Sequence, residues 1–389
     1  MDVELSIVMP CLNEAETLER CIVKAQAFLA RSGVSGEIVI GDNGSTDGSQ
    51  EIARRAGARV VDVRLRGYGA AIHGAVLQAR GRYCIMGDSD DSYDFAHLDV
   101  FVAALREGAA LVMGNRFEGG IRPGAMPWKN RYIGNPILSH LGRLLFRTPI
   151  RDFHCGIRGF SRAAFLAMDL RTTGMEFASE MVIKATLLKL PICEVPTTLD
   201  KDGRSRPPHL RPWRDGWRHL RFMLLFSPNW LFLYPGMLMM LSGLVLGGWL
   251  LVRPLDLGGL RLSVGTLIYC AMLIEVGFQA LWFALLSRAY AVQEGLVPQS
   301  ARMRLADRLV TLEAGLVAGT AVLALGLGLL FHAVSIWSGA KFGVLNVTEI
   351  ARVCIASSLA ISLGFQSVFC SLLLSTLKLN VRHTPLVAG

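Results

Sequence analysis

Hydrophobic positions divide this chain into two regimes. Up to about residue 220 the apolar runs are short and alternate with amphipathic stretches; beyond it they are long and nearly unbroken. In the first regime, the run Leu5-Ser6-Ile7-Val8-Met9 closed by Pro10 predicts a buried strand that the proline ends. A helix is predicted to open at Asn13-Glu14, with Leu18, Cys21, Ile22 and Ala25 at helical spacing. Strands are expected at Glu37–Ile40, Ala58–Val63 and Arg82–Ile85, and helices at Ser49–Arg55 and about 70–79. Strand-helix alternation predicts a parallel sheet covered by helices, with ligands at the carboxyl ends of the strands.

In the second regime four runs, about 230–252, 263–287, 311–336 and 351–377, are each long enough to cross a hydrocarbon core of about 30 Å. Two amphipathic stretches lie before them. In 136–147 an apolar stripe runs through Ile137, Leu141, Leu144 and Leu145, with Arg143 and Arg147 off it. In 211–226, Trp213, Trp217, Leu220 and Leu224 share one helical face, with Arg214, Arg218 and Arg221 beside it at about 100°. Tryptophan and arginine on an amphipathic helix mark a membrane interface. The expected divisions are a catalytic α/β domain over 1–207, an interfacial helix over 208–228 and an all-α membrane domain over 229–389.

Composition agrees with this division. The 389 residues are 52% hydrophobic and carry a net charge of +9. The arginines cluster around the membrane segments, which points to an anionic membrane surface or lipid and not to nucleic acid. Eight cysteines show no C-x-x-C spacing, so neither a zinc site nor a disulfide framework is indicated. No signal peptide is visible at the start. Basic residues of the membrane half, Arg288, Arg302, Arg304, Arg308, Lys378 and Arg382, fall on the side of the first domain, against Arg253, Arg261, Lys341 and Arg352 opposite. The positive-inside rule then predicts a multi-pass inner-membrane protein with the catalytic domain and both termini cytoplasmic. Glu275, with Gln279 one turn on, stands mid-span, where an ionisable group is by default a functional hypothesis.

The chemistry concentrates in Met86-Gly87-Asp88-Ser89-Asp90-Asp91-Ser92. Two carboxylates one residue apart at a strand end repel, and a hard divalent cation relieves that. An isolated D-x-D is more often a solvated turn. Here Pro10–Glu14, Asp42–Asp47 and Asp88–Asp90 all fall at strand carboxyl ends and converge on one crevice. A Rossmann dehydrogenase is excluded, because Pro-Cys-Leu-Asn-Glu follows the first strand instead of G-x-G-x-x-G.

These blocks resemble family-2 inverting glycosyltransferases of the GT-A fold. The motifs are Ile7-Val8-Met9-Pro10-x-x-Asn13-Glu14, Asp42-Asn43-Gly44-Ser45-Thr46-Asp47-Gly48-Ser49 and Asp88-x-Asp90. Later blocks, Gly114-Asn115-Arg116-Phe117, Arg151 to Phe160, and Glu194-Val195-Pro196 followed by Gly203-Arg204-Ser205-Arg206, resemble the dolichol-phosphate mannose synthase and polyprenyl-phosphate glycosyltransferase branch. The resemblance implies sugar transfer from a nucleotide-diphosphate sugar to a polyprenyl phosphate, with Mg²⁺ or Mn²⁺ held by Asp88 and Asp90. It implies that Pro10, Asn13, Glu14, Asp42, Gly67 and Gly69 line the nucleotide-sugar pocket with Asp88. Arg116 and Arg131 are implied to be catalytic, and Arg204 and Arg206 to bind phosphates. Glu176 or Glu180 is implied near the donor sugar. Ser92 stands where the branch often has Gln, as third metal ligand; Asn43, Tyr68 and His154-Cys155 also depart from the branch, which leaves the donor open.

An anionic acceptor needs no general base, so the lack of a catalytic histidine is no objection. A processive synthase would carry Gln-x-x-Arg-Trp, which is absent. A transferase acting on a glycerolipid or other alcohol is the alternative, and would need Asp91 or Asp94 as base. Intact Asp42, Asp88, Asp90 and Arg116 argue against a non-catalytic scaffold. Self-association is left open.

Overall fold

The computed structural model describes residues 3–205, 212–295, 297–298 and 310–379. The chain forms two compact units, Met1–Met223 and Leu224–Gly389.

The first unit is built on a seven-stranded sheet in the order β3-β2-β1-β4-β6-β5-β7. Its strands are β1 (Leu5–Cys11), β2 (Gly36–Asp42), β3 (Arg59–Asp62), β4 (Tyr83–Met86), β5 (Leu111–Asn115), β6 (Arg158–Ser161) and β7 (Ile192–Pro196). β1 is buried along its whole length, as a central strand covered on both faces must be. It pairs in parallel with β2 and β4. β6 alone runs antiparallel, between β4 and β5. The helices are α1 (Leu18–Ser32), α2 (Ser49–Arg55), α3 (Tyr68–Gln78), α4 (Asp99–Arg106), α5 (Arg116–Gly119), α6 (Asn135–Phe146), α7 (Arg162–Met168), α8 (Phe177–Leu187) and α9 (Pro212–Leu225). This is the GT-A-like, mainly parallel α/β arrangement expected.

α1 begins later than the periodicity predicts. Amides that would open the helix are taken by another loop: Asn13 N donates to Ser45 Oγ (2.9 Å), Glu14 N to Ser49 Oγ (2.9 Å) and Ala15 N to Asp47 Oδ2 (2.9 Å). Asn13 itself is left-handed, at φ 59°.

α6 is inverted relative to an ordinary surface helix. Ser139, Gly142 and Phe146 face inward, whereas Ile137 and Leu144 are 52% and 45% exposed. Trp128, Tyr132 and Ile133, just before it, are also exposed. α9 docks on the unit by a face that its Trp/Arg pattern does not announce: Asp215, His219 and Met223 are buried, while Arg214, Trp217, Arg221 and Leu225 are exposed. Ser179 Oγ lies 2.8 Å from His219 Nδ1 and 3.3 Å from His154 Nε2, joining the two imidazoles across α8 and α9.

The second unit contains α10 (Tyr234–Val252), entered through a π-helical turn at Asn229–Leu233, a small hairpin β8–β9 (Leu255–Leu257, Leu260–Leu262), α11 (Val264–Gln293), α12 (Leu312–Gly339) and α13 (Val347–Leu377). The protein is thus a membrane protein with four membrane-length apolar helices, Asn229–Val252 and α11 to α13. α11 and α12 extend a few residues past their apolar windows, because bilayer thickness limits the window and not the helix. The close pairs are α10–α11, α11–α13 and α12–α13, so the helices pack in the order α10, α11, α13, α12. Gly236 and Gly277 permit the first pairing, since a Cβ on Gly277 would lie 2.7 Å from Gly236 O. All eight cysteines are unpaired.

The His154–His219 contact carries a pH dependence. Burial pushes His219 down to about 4, with the Arg158 charge adding and Asp215 opposing, and holds His154 well below its ordinary value. A depressed histidine is neutral when folded and protonates on unfolding. Stability is therefore intact above about pH 6.5 and falls as pH drops toward about 4, by about 1.4 kcal/mol per pKa unit, roughly 3 kcal/mol for His219. In melting curves of the full chain in detergent, His219→Gln should flatten that acid loss relative to the wild type. Parallel pH profiles would discount the imidazole.

Candidate active site

The acidic pair lies where β4 runs out. Ser89, between the two aspartates, is buried and turned into the sheet edge: its hydroxyl donates to Pro10 O (2.7 Å), and its carbonyl accepts from Thr17 Oγ1 (2.7 Å). That fixes the turn against the end of β1. Asp91, left-handed at φ 64°, is held by Lys24 (2.7 Å) and Arg20 (3.5 Å). Asp88 and Asp90 are left to flank Ser89 with different partners.

Asp88 Oδ1 accepts from the Tyr68 hydroxyl at 2.8 Å. Burial, then the Asp90 charge, pushes Asp88 up to about 6 despite that bond. Asp90 Oδ1 accepts from Ser92 N (3.1 Å) and Ser92 Oγ (2.6 Å). Its Oδ2 meets Arg204 at 2.9 Å, and Arg204 also pairs with Glu14 (3.1 Å) and Asp202 (2.7 Å). The segment carrying Arg204 is laid on the same turn: Asp200 N donates to Ser92 O (2.9 Å) and Gly203 N to Asp90 O (2.9 Å). Three carboxylates, Asp90, Glu14 and Asp202, thus converge on one guanidinium, so the position draws positive charge. A hard divalent cation fits this donor set. Among the described residues no group of three or more His, Cys, Asp or Glu is placed to hold a metal, so such an ion would need oxygens from its ligand as well.

The structure gathers the other residues named from the sequence unevenly. Pro10, Asn13 and Glu14 line the crevice edge beside Ser89, Ser45 and Arg204 respectively. Asp42 is fully buried and holds its own loop, accepting from Gly44 N (3.0 Å), Ser45 N (3.1 Å) and Gln50 Nε2 (2.6 Å). Gly67 (φ 134°) and Gly69 let the loop before α8 close on α3: a Cβ would lie 2.1 Å from Thr173 O at Gly67 and 2.6 Å from Thr172 O at Gly69. Arg116 is buried in a two-pronged pair with Asp152, both contacts 2.7 Å, and its charge reaches Asp88. Arg131 lies in the π-helical turn Asn130–Gly134, its guanidinium 5.5 Å from the Tyr132 ring centroid. Arg206 lies outside the described residues.

Several residues that organise the site had no signal pointing to them. Tyr68, standing between the two glycines, reads as a departure from pattern, yet it is the hydrogen-bond donor to Asp88. Asp152 sits inside a quoted block, but only the fold pairs it with Arg116. Glu194 in turn takes the amides of Arg151 (2.6 Å) and Asp152 (2.7 Å). Arg158 is fully buried and donates to the carbonyls of Cys155 (2.9 Å) and Ala178 (2.5 Å). Glu180 is spent on structure: it pairs with Lys184 (3.1 Å) and accepts from Arg171 N, Thr172 N and Thr172 Oγ1. Glu176 keeps one buried carboxylate oxygen without a partner among the described residues.

Two family models match the chain: glycosyl transferase family 2 over residues 6–168, and the family 2 C-terminal transmembrane region over residues 285–378. The low-salt glycan biosynthesis hexosyltransferase Agl6 of Haloferax volcanii is 37% identical over 378 residues, covering 96% of this chain and 89% of that protein. A dolichyl-phosphate hexose transferase of the same organism is 31% identical over 194 residues, covering 50% of this chain and 81% of that protein. Among solved structures, glucosyl-3-phosphoglycerate synthase from Mycobacterium tuberculosis, in complex with Mn²⁺, UDP and glucosyl-3-phosphoglycerate, aligns with a TM-score of 0.45 at 26% identity, covering 58% of this chain and 79% of that one. With a relative matched along nearly its whole length and both the catalytic and the membrane models matched in order, the chain belongs to glycosyl transferase family 2.

Proposed function

We propose that this glycosyltransferase is an inverting, metal-dependent hexosyltransferase. It moves a sugar from a UDP- or GDP-linked donor to undecaprenyl or dolichyl phosphate at the cytoplasmic face of the inner membrane. The product serves cell-envelope glycan or glycoprotein modification. The observation that carries this reading is the half-buried Asp88/Asp90 pair with Arg204 on Asp90, in a chain that also holds four membrane-length helices. The names of the two Haloferax relatives support a hexose and a dolichyl-phosphate acceptor.

In this reading Asp88 and Asp90 would hold Mg²⁺ or Mn²⁺, with Ser92 steadying Asp90 and its hydroxyl oxygen free to accept. The ion supplies Lewis-acid neutralisation of the diphosphate leaving group. Tyr68 keeps the Asp88 carboxylate turned toward the crevice. Arg204 already lies on Asp90 and Glu14, so it has only to exchange carboxylate for phosphate, and Arg206 follows two residues on. The Pro10–Glu14 turn, the Asp42 loop and the Gly67/Gly69 turn form the walls of the nucleotide pocket. Arg131, beside exposed Trp128, Tyr132 and Ile133, is placed to meet a lipid phosphate, and Arg116 acts through its field from the pair with Asp152. The exposed apolar stripe of α6 and the Trp217/Arg221 face of α9 rest on the membrane. An alcohol acceptor would need a base, but Asp91 is tied to Lys24, and Asp94 lies 2.6 Å from His97, with its pKa lowered.

Membranes containing the protein, Mg²⁺ or Mn²⁺, decaprenyl phosphate and radiolabelled nucleotide sugars should yield a labelled lipid. EDTA should abolish it, and Asp90→Ala should reduce it at least ~100-fold. No lipid product with any donor, or full transfer by Asp90→Ala, refutes the reading. Arg116→Ala and Asp152→Ala each strand a buried charge and should cost about 3–5 kcal/mol in denaturant unfolding. The double variant should lose less than the sum, because one pair is removed only once.

A further inference from the structure

The seam between α11 and α13 carries polar groups that find no partner among the described residues. Ile268, Ala271, Met272 and Glu275 share one face of α11; Cys354, Ser358 and Ser362 share one face of α13. Together with Ile355 and Leu359 they line an open groove of about 470 Å³. Glu275 Oε1 accepts from Ser362 Oγ at 2.5 Å, the only partner of this carboxyl among the described residues. Ser367, Ser371 and Thr376 bond back to carbonyls one turn earlier, whereas Ser358 has no partner among the described residues. The polar stripes continue along the same faces toward the carboxyl ends of both helices. Gln279 is exposed, and Trp282 Nε1 and Gln366 Oε1 are buried without a partner among the described residues. Hydrocarbon supplies no hydrogen bonds, so each such group is costly unless something polar meets it.

We propose that this groove binds the glycosyl head of a polyprenyl-linked sugar, the product class of this same chain. The donor set is what selects it. Each sugar hydroxyl both donates and accepts, and the groove offers acceptors (Glu275 and the Ser362 oxygen) beside a donor (Ser358), with apolar walls for an isoprenoid. Its volume admits a hexose. Among the described residues no basic one lines the groove to pair with a phosphate monoester, so the site distinguishes glycosylated lipid from unglycosylated acceptor. The groove thereby provides a polar resting place at membrane depth for a head group that lipid tails exclude. This inference rests on the reading that the chain makes a lipid-linked hexose, but its test does not use turnover.

Cys354 lines the groove and is exposed, so its alkylation reports on occupancy. The full chain in lipid nanodiscs, without nucleotide sugar, is treated with N-ethylmaleimide and Cys354 modification is followed by mass spectrometry. Decaprenyl-phosphate glucose should slow the modification about fivefold or more, and decaprenyl phosphate at the same concentration should not. Glu275→Leu and, independently, Ser358→Leu should remove the protection; both replace a polar group by an apolar one in hydrocarbon, so neither threatens the helices. Equal protection by both lipids, or none by either, overturns the proposal. So does a Cys354–Cys354 cross-link between two copies, which would make the seam a contact between chains. Transfer activity measured on the same samples separates the two readings: absent transfer counts against the proposed reaction, and absent protection with intact transfer counts against the groove.

Discussion

Two carboxylates one residue apart at the end of a buried strand repel each other, and much of the first unit is arranged around keeping them there. Ser89 locks the turn to the end of β1 and to α1. Tyr68 bonds one carboxylate, and Ser92 with Arg204 the other. The glycine pair at 67 and 69 lets the Thr172–Thr173 backbone close over the helix that carries Tyr68, and Glu180 holds that backbone from beneath. Removing solvent raises the cost of the repulsion, which is why Asp88 sits near 6 and why a guanidinium lies against Asp90. The repulsion between like charges is thus met by a ring of hydrogen bonds and one guanidinium.

A second constraint shows in the apolar surfaces that remain exposed. The catalytic unit places apolar side chains outward on α6 and keeps serine and glycine inward, the reverse of a soluble helix. α9 combines two faces: buried Asp215, His219 and Met223 fasten it to the unit, and Trp217 with Arg214 and Arg221 remains outward. The helix is therefore a structural element of the unit that keeps an aromatic and basic face exposed. In the membrane unit the same solvent logic is sharper. Polar groups there need partners, and among the described residues Trp282 Nε1 of α11 and Gln366 Oε1 of α13 have none.

What the sequence by itself determined were the features encoded in short windows. Apolar runs and their spacing revealed the sheet-and-helix alternation and the four membrane helices, because burial in a sheet or a bilayer demands apolar residues in contiguous stretches. The Asp88-x-Asp90 turn and the loops at Pro10–Glu14 and Asp42–Asp47 were legible for the same reason: parallel strands deliver their carboxyl ends to one edge whatever else the chain does. Only the tertiary structure decided which charges are spent internally. Arg116 and Asp152 are 36 residues apart, Arg204 and Glu14 are 190 apart, and nothing local distinguishes a paired arginine from an available one. The same holds for Asp42, turned to its own loop, for Tyr68 on Asp88, and for the buried His219 face of α9. Hydrogen bonds and ion pairs depend on geometry within about 3 Å, and that geometry exists only once distant segments have been folded against one another.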